Sequence, residues 1–113
     1  MEENDSIVYI FGFSLRFSHK LDNLLKILKE QSQINMNIKF VLIHDGVIGT
    51  SKKSKTPLSL VELLNLPITL YAMIPDIIAR GLDPINLRNK IQGINYEELV
   101  EILTNTPKIV SWM

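Results

Sequence analysis

The sequence predicts an α/β protein: a three-layer α/β/α sandwich on a mainly parallel, five-stranded sheet of the flavodoxin-like kind. Three observations lead there. Apolar, β-branched runs alternate with segments whose leucines and isoleucines recur at helical spacing, in the order β-α-β-α-β-α-β-α-β. The first run, residues 7–11, is continuously apolar, as in a strand covered on both faces. The chain has 113 residues, 46% hydrophobic and 21% charged, enough for one core and too short for two ordinary domains. Residues 1–6 are expected to be disordered or extended and residues 7–113 to form one domain.

Each element has its own local reason. Residues 7–11 (IVYIF) form a strand that stops at Gly12. Ser18 can cap the helix that follows. Leu21, Leu24, Leu25 and Leu28 fall at i, i+3, i+4 and i+7, an amphipathic helix over about residues 19–32. Residues 38–43 (IKFVLI) make the second strand, ended by His44-Asp45-Gly46. Residues 51–55 (SKKSK) read as an exposed loop. Thr56-Pro57 opens the next helix, with Ser59 and Glu62 as a capping box ahead of Leu63 and Leu64, and the helix ends before Pro67. Residues 68–74 (ITLYAMI) are the third strand. Pro75-Asp76 starts a short helix through Arg80, and Gly81 is its left-handed stop. Residues 83–90 are loop-like, and residues 90–94 are a short fourth strand. Asn95 and Glu98 form a second cap-like pair, and Leu99, Ile102 and Leu103 are the apolar stripe of the last helix. After Pro107, residues 108–112 form a fifth strand.

Charge and composition remove several function classes. The chain carries 12 basic and 12 acidic residues, so no overall field draws it to nucleic acid or to an anionic membrane. It has no cysteine, which excludes disulfides, thiolate metal sites and a cysteine nucleophile. The two histidines, His19 and His44, are too few for a histidine-rich metal site, and no metal or cofactor is expected. The acidic opening Met1-Glu2-Glu3-Asn4-Asp5 is unlike a signal peptide. No apolar run approaches the roughly 18 residues of a membrane helix. A cytoplasmic protein without membrane contact is expected.

In such folds ligands and partners gather at the carboxyl ends of the strands, here residues 12–16, 44–50 and 75–80. The turn after the first strand has one glycine and neither a phosphate-binding loop nor a dinucleotide fingerprint. His44 beside Asp45 is a base with its orienter, a metal site, or a turn residue that packs or faces a partner. Asp45-Gly46 makes the turn. Lys52, Lys53 and Lys55 form a local basic patch, a solvated loop or a phosphate contact, with no aromatic residue for base stacking. Direct nucleic-acid binding is therefore not expected. Arg80 complements the end of its helix or faces a partner. Trp112 belongs to the core or to a subunit contact.

Four stretches carry a resemblance to the DsrH/TusB family. Residues 71–82 (YAMIPDIIARGL) resemble its strand–Asp–helix–Ala-Arg-Gly segment. Asp45-Gly46-Val47 looks like its Asp-Gly-hydrophobic turn. Residues 94–100 (INYEELV) are similar to the opening of its last helix, with Asn95 in place of the usual Asp, and Ser111-Trp112 matches its ending. The resemblance implies a DsrE-like sandwich and a subunit of a sulfur-relay assembly beside DsrE/TusD-like and DsrF/TusC-like partners, or self-association. It further implies support of persulfide transfer for tRNA wobble-uridine 2-thiolation or for sulfur oxidation. Some members carry a cysteine in the first helix, and the position that aligns here is Leu24. A chain without a thiol holds no persulfide, so a non-catalytic role is expected, with a partner surface around His44, Asp45, Gly46, Asp76, Arg80 and Trp112. The alternative is a stand-alone homo-oligomeric module for a small ligand or nucleotide.

Overall fold

A computed structural model of the chain describes residues 6–15, 20–34, 36–53 and 58–112. The elements are β1 (Ser6–Phe11), α1 (Lys20–Gln33), β2 (Asn37–Leu42), α2 (Leu58–Leu64), β3 (Thr69–Met73), α3 (Ile74–Ala79), β4 (Ile91–Ile94), α4 (Tyr96–Thr104) and β5 (Lys108–Trp112). Short 3-10 turns occupy His44–Val47 and Pro84–Asn86. The five strands lie in the order β4-β3-β2-β1-β5, and every pairing is parallel.

That order decides how the helices are shared out. From β1 to β4 the chain steps always in one direction, and right-handed crossovers then put α1, α2 and α3 on one face. The return from β4 to β5 crosses the sheet the other way, so α4 goes to the opposite face. The packing agrees. On the first face Tyr9, Phe11, Phe40, Leu42, Leu70 and Ala72 meet the four leucines of α1 together with Leu60, Leu63 and Ile77. The Phe40 ring lies 6.3 Å from that of Tyr9 and 5.8 Å from that of Phe11. On the second face Val8, Val41, Ile43, Met73 and Ile94 lie under Leu99, Ile102 and Leu103 of α4. The continuous apolar strands thus have the physical cause expected of them, since both faces are covered.

The ends of the elements follow local chemistry. Asn95 accepts a hydrogen bond from the Glu98 amide at 2.9 Å, and the Glu98 carboxylate accepts one from the Asn95 amide at 3.1 Å, a complete capping box. Gly81 takes φ +74°, and the Leu82 and Gly81 amides donate to the Ile77 and Ile78 carbonyls at 3.0 Å each, closing α3 in a Schellman turn. Three expectations need adjustment. Ser59 lies inside α2, so Ser59 and Glu62 are not its capping box; Leu58 is already helical. β3 ends at Met73 because Pro75, whose missing N–H is tolerated in a first turn, lets α3 begin at Ile74. The loop over residues 83–90 contains a 3-10 turn, capped where Asp83 accepts from the Ile85 amide at 3.0 Å. The Ser18 cap, the Thr56-Pro57 helix opening, Arg16, Lys55 and residues 1–5 lie outside the described residues.

Candidate functional site

The carboxyl end of the sheet gathers four of the six candidate residues into one polar cluster. β2 stops at Leu42, and the chain turns at once through His44, which adopts the left-handed conformation at φ +49°. For a residue with a Cβ this costs about 1–2 kcal/mol, and the surroundings hold it in place. The His44 amide donates to Asp76 Oδ2 at 2.9 Å. Asp45 Oδ1 accepts from Arg80 Nε at 3.1 Å, and Arg80 Nη1 lies 3.9 Å from Asp76 Oδ1 and donates to the Asp76 carbonyl at 3.4 Å. One guanidinium and two carboxylates therefore tie the turn after β2 to α3. Asp76 is the sheltered member, its side chain 14% exposed, whereas that of Asp45 is 61% exposed. The His44 side chain is exposed.

Gly46 has a different task. It is buried, and a Cβ there would come within 2.5 Å of the Phe11 carbonyl oxygen. Only glycine lets the turn pass so close to the end of β1, so its part in any contact is to shape the turn. Trp112 is separated from the cluster by β1: its carbonyl accepts from the Gly12 amide at 2.9 Å, and its half-buried ring packs against the first-face core. Leu24 is fully buried at the centre of α1. Lys52 and Lys53 are exposed on a ledge where the Lys52 amide donates to the Asn86 carbonyl at 2.7 Å and Ser51 bridges to Leu87.

A second feature lies on the α4 face. A groove of about 230 Å³ runs beside α4 over β2, β3 and β4, lined by Lys39, Tyr71, Gln92, Ile94, Glu98, Glu101, Ile102 and Asn105. Burial pushes the Tyr71 phenol above its ordinary value. Sequence reading missed this groove. Its signal was available: Lys39, Tyr71 and Gln92 are polar interruptions on one face of three otherwise apolar strands.

Taken together, the rim is an ion-paired clamp presenting an exposed imidazole, and the groove is open and polar. No group of three or more histidine, aspartate or glutamate side chains among the described residues is placed to hold a metal ion. No helix among them is long and apolar enough to cross a membrane.

The family profile of DsrH, "DsrH like protein", matches residues 15–109. The chain belongs to the DsrH family. Among its relatives is Protein TusB of Escherichia coli strain K12, 32% identical over 89 residues, which are 79% of this chain and 83% of that protein. Protein TusB of Serratia proteamaculans strain 568 is 38% identical over 72 residues, 64% of this chain and 72% of the relative. Solved structures agree on the fold of this DsrH member. The E. coli ychN protein superposes with a TM-score of 0.77 at 17% identity, covering 95% of this chain and 98% of that one. A conserved protein of unknown function from Bacteroides thetaiotaomicron gives 0.77 at 19% identity, covering 98% and 97%. Within the DsrH match fall the clamp residues Asp45, Asp76 and Arg80, the buried Gly46 and Leu24, and all of α4.

Proposed function

We propose that the chain is a non-catalytic subunit of a cytoplasmic sulfur-relay complex. It supports persulfide transfer between unlike partners, for tRNA wobble-uridine 2-thiolation or for sulfur oxidation. The observation that carries this reading is a DsrH-family chain with no cysteine anywhere in its 113 residues. Sulfane sulfur is carried as a persulfide on a thiolate, so this subunit acts by holding and orienting partners that bear the thiol.

The surface best suited to that work is the strand-end rim. Asp76 and Arg80 fix the turn after β2 so that His44 and Asp45 stand exposed in one geometry, already ordered before a partner arrives. Asp45 faces solvent on one side of its pair with Arg80, available as an acceptor to a partner's donors. In the core of α1, the position aligned with the family cysteine is filled by Leu24, whose role here is packing.

The test is co-purification of the tagged chain from its native cells, followed by loading of the recovered complex from a persulfide donor and cyanolysis of each separated subunit. The expected result is capture of small cysteine-bearing α/β subunits, with all cyanolysable sulfur on them and none on this chain. Recovery of the chain without any unlike subunit, or sulfane sulfur bound covalently to it, refutes the proposal.

A further inference from the structure

We propose that the groove beside α4 binds a free α-amino acid with an apolar side chain, its carboxylate toward Lys39 and Tyr71 and its ammonium toward Glu101 and Glu98. The inference goes beyond the relay reading and does not rest on it.

The floor of the groove is the sheet. β2 is the middle strand of the five. Alternate residues of a strand share a face, so Lys39 stands in line with Val41 of the second-face core. It is half-buried there, between Val8 of β1 and Thr69 of β3, and makes no ion pair among the described residues. A lysine in the middle of an apolar face gives up hydration, and here no carboxylate compensates it. Tyr71 is its diagonal neighbour on β3, and Gln92 lies level with Tyr71 on β4. Burial raises the Tyr71 pKa, so its hydroxyl keeps its proton at neutral pH, and it has no hydrogen-bond partner among the described residues.

The wall of the groove is α4. Glu98, Glu101, Ile102 and Asn105 fall at i, i+3, i+4 and i+7, one stripe of the helix turned toward the groove. Glu98 is oriented by the capping box, where one of its oxygens accepts from the Asn95 amide. Glu101 is exposed and makes no ion pair among the described residues. Ile94 and Ile102 add apolar surface.

Charge is thus divided across the groove, a cation in the floor and two carboxylates in the wall. A plain anion drawn to Lys39 meets Glu98 and Glu101, and a plain cation drawn to those carboxylates meets Lys39. A small zwitterion satisfies both sides at once. Lys39 and Glu101 line one groove without pairing with each other, so a ligand carrying both charges bridges them. The Tyr71 hydroxyl then donates to the same carboxylate as Lys39, a bond strengthened by the charge of its acceptor. The volume of about 230 Å³ lies below the roughly 300–1,000 Å³ of drug-sized sites, which restricts the occupant to a small molecule. Ile94, Ile102 and the Tyr71 ring cover an apolar side chain. Opposite charges on one small molecule with an apolar remainder describe a free α-amino acid.

Amide NMR of the purified, isotope-labelled full chain, titrated with L-leucine and with L-methionine, tests this. Saturable shifts are expected in β2, β3, β4 and α4 around the groove. Leucine amide, which lacks the carboxylate, and N-acetyl-leucine, which lacks the ammonium, should each bind about tenfold more weakly, the usual loss of one charged hydrogen bond. Lys39→Met and Glu101→Gln should each weaken leucine binding by about the same factor. The same spectra report whether each variant is folded, and Tyr71→Phe gives a further variant that keeps the ring and removes only the donor; it should weaken leucine binding several-fold. No saturable shift with either amino acid overturns the proposal. So do shifts centred away from the groove, equal binding of leucine and its two blocked forms, or leucine binding unchanged in all three variants. Each of those results leaves the relay reading standing, because unlike partners are assayed separately there.

Discussion

The two faces of the sheet are built from the same strands and finished very differently. One is closed by three helices, and the four leucines of α1 with Phe11 and Phe40 are sealed from solvent. The other is closed by a single nine-residue helix. The groove beside α4, with Tyr96, Val100 and half-exposed Ile109 around that face, is what one helix leaves over. The difference is topological in origin. Three crossovers in one direction and one in return distribute cover three to one, whatever the strands contain. Polar Lys39, Tyr71 and Gln92 stand on the strands where α4 does not reach, so the lightly covered face is where the sheet itself meets solvent.

The sharpest way to break that comparison is to remove the same kind of side chain from each face. Leu24→Ala opens a cavity beneath three helices and should cost about 3–4 kcal/mol in urea denaturation. Ile102→Ala, partly exposed over the second face, should cost about 1–2 kcal/mol, because solvent reaches the gap. Equal losses would mean that α4 seals its face as tightly as α1 does, and the argument from unequal cover would fail.

The clamp at the rim gives the next largest effect. It belongs to the heavily covered side, where α3 meets the turn after β2. Asp76→Ala removes the acceptor of the His44 amide and one of the two carboxylates near Arg80, and should cost about 1–2 kcal/mol. Asp45→Ala removes a largely solvated carboxylate and should fall within about 0.5 kcal/mol of wild type. Thermal unfolding of both variants separates the sheltered member from the exposed one, and an equal loss would show that the cluster acts as one surface network.

Much of this was legible in the sequence. The IVYIF and IKFVLI runs, the leucine spacing of α1, the Asn95/Glu98 box and the Gly81 stop are local signals, each with a local cause, and the structure has them where the pattern puts them. The pairing of Arg80 with Asp45 was not legible, because it spans 35 positions and depends on β2 and β3 being neighbours in register. The Ser59/Glu62 pair shows the opposite failure: the residue types of a cap were present, but the helix had already begun at Leu58. Unequal cover of the two faces was written only in the strand order, which no single segment encodes.

The smallest effect compares one tyrosine from each face. Tyr9 lies under α1 and donates from its hydroxyl to Gln31 Oε1 at 2.7 Å. Burial raises its pKa, and the Gln31 amide, whose NH2 group can turn toward the phenolate, partly opposes the rise. Tyr71 faces the groove, and burial alone raises it. In both cases the folded protein keeps the proton to a higher pH than the unfolded chain, whose value is 10.0. Between the unfolded and folded pKa the native state binds more protons, so stability is intact below pH 10 and declines as pH climbs through that window. Tyr71→Phe should flatten the alkaline fall in melting temperature with little change at neutral pH, since its hydroxyl has no hydrogen-bond partner among the described residues that must be given up. Tyr9→Phe should flatten the fall as well but lower stability at neutral pH by about 1 kcal/mol, the usual worth of a part-buried hydrogen bond. A Tyr71→Phe curve that keeps the wild-type alkaline slope would place that phenol in bulk-like water, and the second face would then be open to solvent down to the sheet itself.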